Sequence, residues 1–105
     1  MSAPVLLQID FDYAGPWGAD LAAAATAGGL AADIAAEPGL LWKIWTENRD
    51  EGVAGGWYVF AERAQAEAYL AKHSQRLRAF GVESVRARYF GANAALGALT
   101  RSPLV

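Results

Sequence analysis

The stretch that decides the fold is residues 40–60, LLWKIWTENRDEGVAGGWYVF. Residues 40–47 and 53–61 are rich in β-branched and aromatic side chains, and the polar run at 48–52 separates them. Two such segments joined by a short polar turn are typical of a β-hairpin. We therefore expect two paired strands here, with a bulge at Gly55-Gly56, because glycines inside a strand commonly mark one. The alternative is that another group, such as a ligand, comes close to the backbone at these glycines.

The segments on either side of this hairpin each predict a helix and a strand. Upstream, Leu7, Ile9 and Phe11 alternate with polar residues, which is typical of a half-buried strand. An alanine-rich stretch follows, and Gly28-Gly29 inside it predicts a kink or a close approach of backbone. Downstream, apolar residues at helical spacing precede Gly81, which predicts a helix that stops there. The predicted elements are strands at 5–13, 40–47, 53–61 and 82–90, and helices at about 20–37, 64–80 and 92–100.

The order of these elements predicts the architecture. Strand, helix, strand, strand, helix, strand is the split βαβ pattern, which gives a four-stranded antiparallel sheet with both helices on one face. We therefore expect an α+β fold of the βαββαβ kind. With 105 residues, of which 54% are hydrophobic, the chain is expected to form a single domain over residues 1–105.

Composition argues against several classes of function. The net charge is −2 and the basic residues are scattered, so the sequence predicts no nucleic-acid partner. Without cysteine, and with His73 as its single histidine, the chain offers no thiolate nucleophile and a poor set of metal ligands, so we expect no metal. Neither glycine pair has the spacing of a nucleotide-binding loop, so no cofactor is expected. No apolar run is long enough to span a membrane, and a cytoplasmic protein is predicted.

The face of the sheet that points away from the helices is expected to be buried against another protein surface. We assign to this face a set of large apolar residues: Leu6, Leu41, Trp45, Tyr58, Phe60 and Phe90. The charged residues assigned to the same face are Asp10, Asp12, Lys43, Glu47, Arg86 and Arg88. So much aromatic surface is unusual beside water, so we predict a homodimer formed by pairing two such faces, with ion pairs fixing the register.

Several segments carry a resemblance to a known family. They are LLQ at 6–8, GPWG at 15–18, LLWKIWTE at 40–47, AGGWYVF at 54–60, and the helix from Ala68 through Leu77 to Gly81-Val82. Together they closely resemble the YdhR-like family of putative mono-oxygenases. The resemblance implies a ferredoxin-like fold in a dimeric α/β barrel, similar to antibiotic-biosynthesis mono-oxygenases. It also implies cofactor-independent oxidation of phenolic compounds by dioxygen.

Two residues of the second long helix are candidates for proton transfer. The pKa of an unperturbed histidine lies near neutrality, and His73 lies on the inward stripe of this helix, where it would reach a pocket between helices and sheet. Tyr69 lies near the inner edge of the same helix. We predict that one of the two deprotonates a substrate. The alternative for His73 is a core histidine satisfied by one or two hydrogen bonds.

Three aromatic residues are predicted to contact the substrate. Trp42, Trp57 and Tyr89 are assigned to the helix-facing side of the sheet, where flat walls suit a planar, mostly apolar molecule. Ordinary core packing is the alternative for each of them.

The predicted function is therefore cofactor-independent mono-oxygenation of a small aromatic or phenolic substrate, similar to a hydroquinone or an anthrone. Two alternatives stay open. One is a dimeric protein of the same fold that binds a small molecule without transforming it, and the other is an isomerase on a similar barrel.

Overall fold

The computed structural model describes residues 3–104 and confirms the predicted α+β class. In chain order the elements are β1 (Val5–Asp12), α1 (Gly18–Ala27), α2 (Leu30–Ala35), β2 (Leu40–Asn48), β3 (Val53–Phe60), α3 (Arg63–Ala79), β4 (Val85–Gly91) and α4 (Ala94–Leu99). The four strands form one antiparallel sheet in the order β2-β3-β1-β4. This is the ferredoxin-like arrangement, in which β1 and β3 lie at the centre.

The core lies between the sheet and helices α2 and α3. On β1, the residues of one parity are buried, as the alternation predicted. They form one cluster with Ile34 of α2 and with Ala66, Tyr69 and Leu77 of α3. Burial of these side chains holds both helices on the same face of the sheet, since each large apolar residue contributes about 1.5–3 kcal/mol when fully buried.

The alanine-rich stretch forms two helices where a single kinked helix was predicted. Gly28 is the C-cap of α1 and Gly29 is the N-cap of α2, with a φ of 79° at Gly29. That left-handed conformation cannot continue a right-handed helix, and glycine adopts it without the penalty that a Cβ imposes. The glycine pair therefore breaks the helix and redirects the chain so that Ile34 reaches the core.

The bulge predicted at Gly55-Gly56 is wrong, because β3 pairs with β1 in unbroken register through both glycines. The irregularity lies in β2, where Leu40 pairs with Phe60 and Trp42 pairs with the next residue of β3, Val59. Leu41 is thus an extra residue, and every later residue of β2 is turned to the opposite face. Lys43, Trp45 and Glu47 consequently face the helices, which corrects their assignment to the outer face.

The predicted faces of β3 are likewise inverted. Tyr58 and Phe60 pair with the buried residues of β1 and lie on the helix side. Trp57 lies on the outer face, where its ring packs 5.8 Å from that of Phe90. The strand is apolar on both faces, so its alternation alone could not distinguish them.

The outer face carries an ion-paired cluster at its β1–β4 side. Arg86 donates to the carboxylates of Asp10 at 2.5 Å and Asp12 at 3.2 Å, and Gln8 donates to Asp10 at 2.8 Å. These charges pair within one chain, across neighbouring strands of the same sheet. Within residues 3–104, no helix is long and apolar enough to cross a membrane.

Candidate active site

A pocket of about 1090 Å³ lies between the helices and the sheet, beside the C-terminal end of β1. Its walls come from the sheet, from α1 and α3, and from the loops that follow β1 and α3. The lining residues include Phe11, Tyr13, Leu21, Lys43, Trp45, Tyr58, His73 and Leu77. It is therefore a largely aromatic and aliphatic cavity with a few polar groups, which is the usual composition of a small-molecule site.

The sheet wall presents a lysine between two aromatic rings. Lys43 lies opposite Tyr58 in the register, and its Nζ is 3.3 Å from the ring centroid of Trp45 and 4.7 Å from that of Tyr58. Burial, with the nearby charge of Arg76, lowers the pKa of Lys43 to about 7. This amine can therefore gain or lose a proton near neutral pH.

The helix wall presents His73, which is 5% exposed. Its Nδ1 lies 3.3 Å from Nε and 3.0 Å from Nη2 of Arg76, whose Nη1 pairs with Asp33 of α2. A guanidinium only donates, so Nδ1 accepts and the ring proton is on Nε2. Burial, followed by the charges of Arg76 and Lys43, lowers the pKa of His73 to about 3. His73 is thus a neutral imidazole whose Nε2 carries a proton that it can donate.

Two tyrosines join the sheet wall to α3. The hydroxyl of Tyr69 donates to that of Tyr58 at 3.1 Å, and the Tyr69 ring stacks on His73 at 5.0 Å between centroids. Because Tyr58 accepts this bond, its own proton is left to donate elsewhere. Burial raises the pKa of Tyr58 to about 12, and burial also raises the pKa of Tyr69. Both phenols are therefore protonated at neutral pH.

The loop after β1 is fixed to the rim of the pocket. The ring of Tyr13 packs edge-on at 5.0 Å against Trp17, and the backbone N–H of Tyr13 donates to Gly52 in the hairpin turn at 2.7 Å. Glu47 accepts a 2.7 Å hydrogen bond from the backbone N–H of Gly18, at the start of α1. A carboxylate suits this place because the first N–H groups of a helix lack partners inside it.

The structure brings together only part of the predicted site. His73 lines the pocket, and Tyr69 lies directly behind it, linked to the cavity through Tyr58. Trp42 and Trp57 lie on the outer face of the sheet, so the prediction that they face the helices is wrong. Tyr89 does face the helix side, but the guanidinium of Arg63 lies 4.3 Å from its ring, away from the pocket.

Sequence reasoning missed Lys43, Trp45 and Tyr58 as pocket residues. All three were assigned to the outer face. Lys43 and Trp45 were misplaced because β2 was taken as regular from Leu40 onward, and Tyr58 was misplaced because β3 carries apolar residues at both parities. The signal that could have found them is the composition of β2, where one lysine is flanked closely by Trp42 and Trp45. Because burying an unpaired charge is costly, a lysine in so apolar a strand is a candidate for a side chain with a shifted pKa or a specific partner.

No group of three or more His, Cys, Asp or Glu side chains that could hold a metal ion occurs within residues 3–104. The polar side chains that line the pocket include the amine of Lys43, the imidazole of His73 and the phenol of Tyr58, together with the carboxylates of Asp12, Glu51 and Glu83. The amine, imidazole and phenol are groups that can donate hydrogen bonds to an oxygen that carries negative charge.

The fold and the pocket together define a ferredoxin-like α+β domain with an aromatic cavity between its helices and its sheet. The chain belongs to the family described as putative mono-oxygenase ydhR, whose model matches residues 6–103. This match covers nearly the whole chain and confirms the resemblance found in the sequence. Among curated proteins, none matches the chain.

Proposed function

We propose that the protein is a cofactor-independent mono-oxygenase that oxidises a small phenolic or enolic aromatic compound, such as a naphthol, an anthrone or a hydroquinone, with dioxygen. The observation that carries the proposal is that an amine, a phenol and an imidazole occur together in the wall of a largely apolar pocket. Lys43, Tyr58 and His73 all line the cavity, and the ring of Trp45 lies against the amine of Lys43. Membership of a mono-oxygenase family supports the kind of reaction.

The pocket suits a planar substrate with one ionisable hydroxyl. Ligand pockets commonly have volumes of about 300–1000 Å³, so the cavity can hold two or three fused rings together with dioxygen. The aromatic side chains would lie against the faces of the rings. The donors would surround the substrate oxygen, where negative charge develops as its proton leaves.

The chemistry balances without an external reductant. 1-Naphthol that loses its hydroxyl proton is electron-rich and can transfer an electron to dioxygen, and the two radicals then join at the carbon para to the oxygen, which carries a hydrogen. Loss of water from the resulting peroxide leaves a quinone, so one oxygen atom enters the product and the other leaves as water. The protein contributes orientation, exclusion of water and stabilisation of the anion.

The geometry suggests different roles for the two predicted proton-transfer residues. His73 already accepts a hydrogen bond on Nδ1, so we propose that it donates through Nε2 to the substrate oxygen. Tyr69 is 1% exposed and bonds to Tyr58, so we propose that it positions the Tyr58 hydroxyl.

We propose a cytoplasmic homodimer formed through the outer face of the sheet. This face exposes Ile44, Trp57 and Phe90, which form an apolar surface beside the ion-paired cluster of Asp10 and Arg86. Pairing two copies would bury this surface.

Dioxygen uptake tests the proposal. Protein treated with a chelator and freed of flavin is incubated with naphthols, anthrones and hydroquinones, and uptake is corrected for spontaneous oxidation. We expect uptake that depends on protein concentration and matches formation of a quinone with one more oxygen atom than the substrate, without release of hydrogen peroxide. Binding without uptake would favour the non-catalytic binding protein, and conversion under nitrogen would favour the isomerase.

A further inference from the structure

Lys43 has an environment that ordinary lysines avoid. Its side chain is partly buried in the pocket wall, with Nζ against the faces of Trp45 and Tyr58. Within residues 3–104, no carboxylate lies within the 4.0 Å that defines an ion pair with this amine. Lys72, the other lysine of the chain, is exposed and pairs with Glu37 at 2.6 Å.

Two features of the sheet hold Lys43 in this place. The extra residue at Leu41 turns Lys43 toward the helices. Gly56 provides room for its stem, since a Cβ on that glycine would lie 2.9 Å from Cε of Lys43. The backbone is thus arranged so that the amine reaches the cavity and not the outer face.

The charged and titratable groups around the cavity come from several elements. Arg76 and His73 face Lys43 from α3, and Tyr58 faces it from β3. The carboxylates that line the same cavity are Asp12, Glu51 and Glu83, from β1, the hairpin turn and the loop before β4. The cation Arg76 and the burial of the amine both disfavour the ammonium form, and the pKa of Lys43 is lowered accordingly.

We infer that Lys43 is the base of this pocket, whose amine takes the proton from the hydroxyl of a bound phenol or enol and whose ammonium then holds the oxyanion. This inference rests on the proposed function for its substrate class. In the step, the nitrogen lone pair forms a new N–H bond while the O–H bond breaks, and its electron pair stays on the oxygen. No electron is transferred in this step, so it proceeds without dioxygen.

The neighbouring groups are less suited to this task. Nδ1 of His73 is occupied by Arg76, and Nε2 already carries a proton. Tyr58 and Tyr69 are protonated phenols in a shared hydrogen bond. With a pKa of about 7, a substantial fraction of the Lys43 amine is neutral at neutral pH and has a free lone pair. The ammonium that it becomes is stabilised by the ring faces of Trp45 and Tyr58 and lies next to the anion that it creates.

The first test uses 4-nitrophenol under nitrogen, because its phenolate absorbs visible light and its neutral form does not. Binding is followed at a pH below the point where the free probe ionises. We expect the wild-type protein to bind the probe as the phenolate, giving a visible absorbance that the free probe lacks. In Lys43→Met this absorbance should disappear, and affinity for the phenolate should fall by about 10-fold or more.

Lys72→Met is the matched control, since it removes the other lysine from an exposed helix position and should leave the absorbance unchanged. Lys43→Arg keeps the positive charge but cannot accept a proton, so we expect it to bind added phenolate and to lose turnover. Probe that binds to the wild type as the neutral phenol, or phenolate binding that Lys43→Met retains, would overturn the inference.

A second measurement needs no variant. Reductive methylation with ¹³C-labelled formaldehyde labels both lysines for NMR, and the pKa of Lys43 should be near 7 while the pKa of Lys72 is raised above its usual value. Titration of both signals together at high pH would contradict the assignment. If the phenolate binds but no dioxygen is consumed, the proposed oxygenase fails while the assignment of Lys43 stands.

Discussion

The hydrogen bond between Arg76 and His73 determines what the one histidine of this chain can do. Nδ1 accepts from a guanidinium that is itself held by Asp33, so the imidazole is neutral and carries its proton on Nε2, and His73 lines the pocket. The sequence predicted a histidine on the inner stripe of α3, and this is confirmed by its burial. The sequence could not predict its tautomer, because Asp33 and Arg76 are 43 residues apart.

At the residue scale, the stability of the protein should depend on the charge of His73. The pKa is about 3 in the folded state and about 6.5 without the fold, so the unfolded chain binds more protons between these values. The free energy of unfolding should therefore rise with pH across this window and fall on acidification. Between pH 6 and pH 4, the free energy of unfolding of the wild type should fall by about 2 kcal/mol more than that of His73→Gln, as measured by urea unfolding. Equal pH profiles for the two proteins would contradict the buried neutral histidine.

A second residue-scale prediction separates Tyr58 from Tyr69. Tyr58→Phe removes a donor from the pocket and should lower kcat by about 10-fold or more. Tyr69→Phe removes a donor to Tyr58 and should mainly cost about 1 kcal/mol of stability. Turnover and thermal unfolding of both variants provide the comparison. A larger loss of kcat in Tyr69→Phe would instead place Tyr69 at the substrate, as the sequence predicted.

At the scale of elements, the adjacent glycines of β3 should respond differently to substitution. A Cβ at Gly55 would overlap the carbonyl oxygen of Ile9 on the neighbouring strand, which cannot move without breaking the sheet. A Cβ at Gly56 would meet the flexible end of Lys43 at 2.9 Å, with Cε1 of Tyr58 at 3.1 Å and the carbonyl oxygen of Ile44 at 3.2 Å. We expect Gly55→Ala to cost at least about 2 kcal/mol in denaturant unfolding, and Gly56→Ala to cost less. Gly56→Ala should also weaken phenolate binding, and similar stabilities for the two variants would contradict this account.

The elements themselves were largely predictable, whereas the faces of two strands were not. β1 alternates apolar and polar residues cleanly, so its buried face followed from the sequence. β2 and β3 carry large apolar residues at both parities, and a single extra residue in β2 inverts every side chain after it. Such a bulge depends on pairing across strands, which local sequence does not specify.

The break between α1 and α2 was only partly predicted. Adjacent glycines indicated an irregular helix, but a full break requires the positive φ of Gly29, which is a property of the folded backbone. The boundaries of α3 were close to those predicted because Gly81, with a φ of 91°, ends the helical pattern plainly.

At the scale of the whole molecule, the outer face of the sheet tests the proposed dimer. Trp57 lies near the middle of this face beside Phe90, so Trp57→Asp should place a charge in the interface and yield a monomer. Phe80→Asp is the matched control, because Phe80 is more exposed but lies at the end of α3, in the helix layer. Light scattering during gel filtration measures the mass of each. A wild-type monomer, or dissociation in Phe80→Asp alone, would contradict this arrangement.

The pocket is also a property of the whole molecule, and this limited what the sequence could predict about it. Its walls come from segments that are far apart in the chain, such as those of Phe11 on β1, Lys43 on β2 and His73 on α3. These side chains meet only when the sheet and the helices pack. The sequence predicted a cavity between the helices and the sheet, but the aromatic residues that it assigned there, Trp42, Trp57 and Tyr89, do not line the pocket. Nor did the sequence identify most of the polar groups.

The measurement that tests the central claim most directly is the fate of labelled dioxygen. Protein stripped of metals and flavin is incubated with a naphthol under ¹⁸O₂, and the quinone is analysed by mass spectrometry, with exchange of authentic quinone measured in parallel. We predict one ¹⁸O atom in each quinone that the protein forms, with the second in water. Product oxygen drawn from water, or formation of quinone at the spontaneous rate, would contradict a cofactor-independent mono-oxygenase.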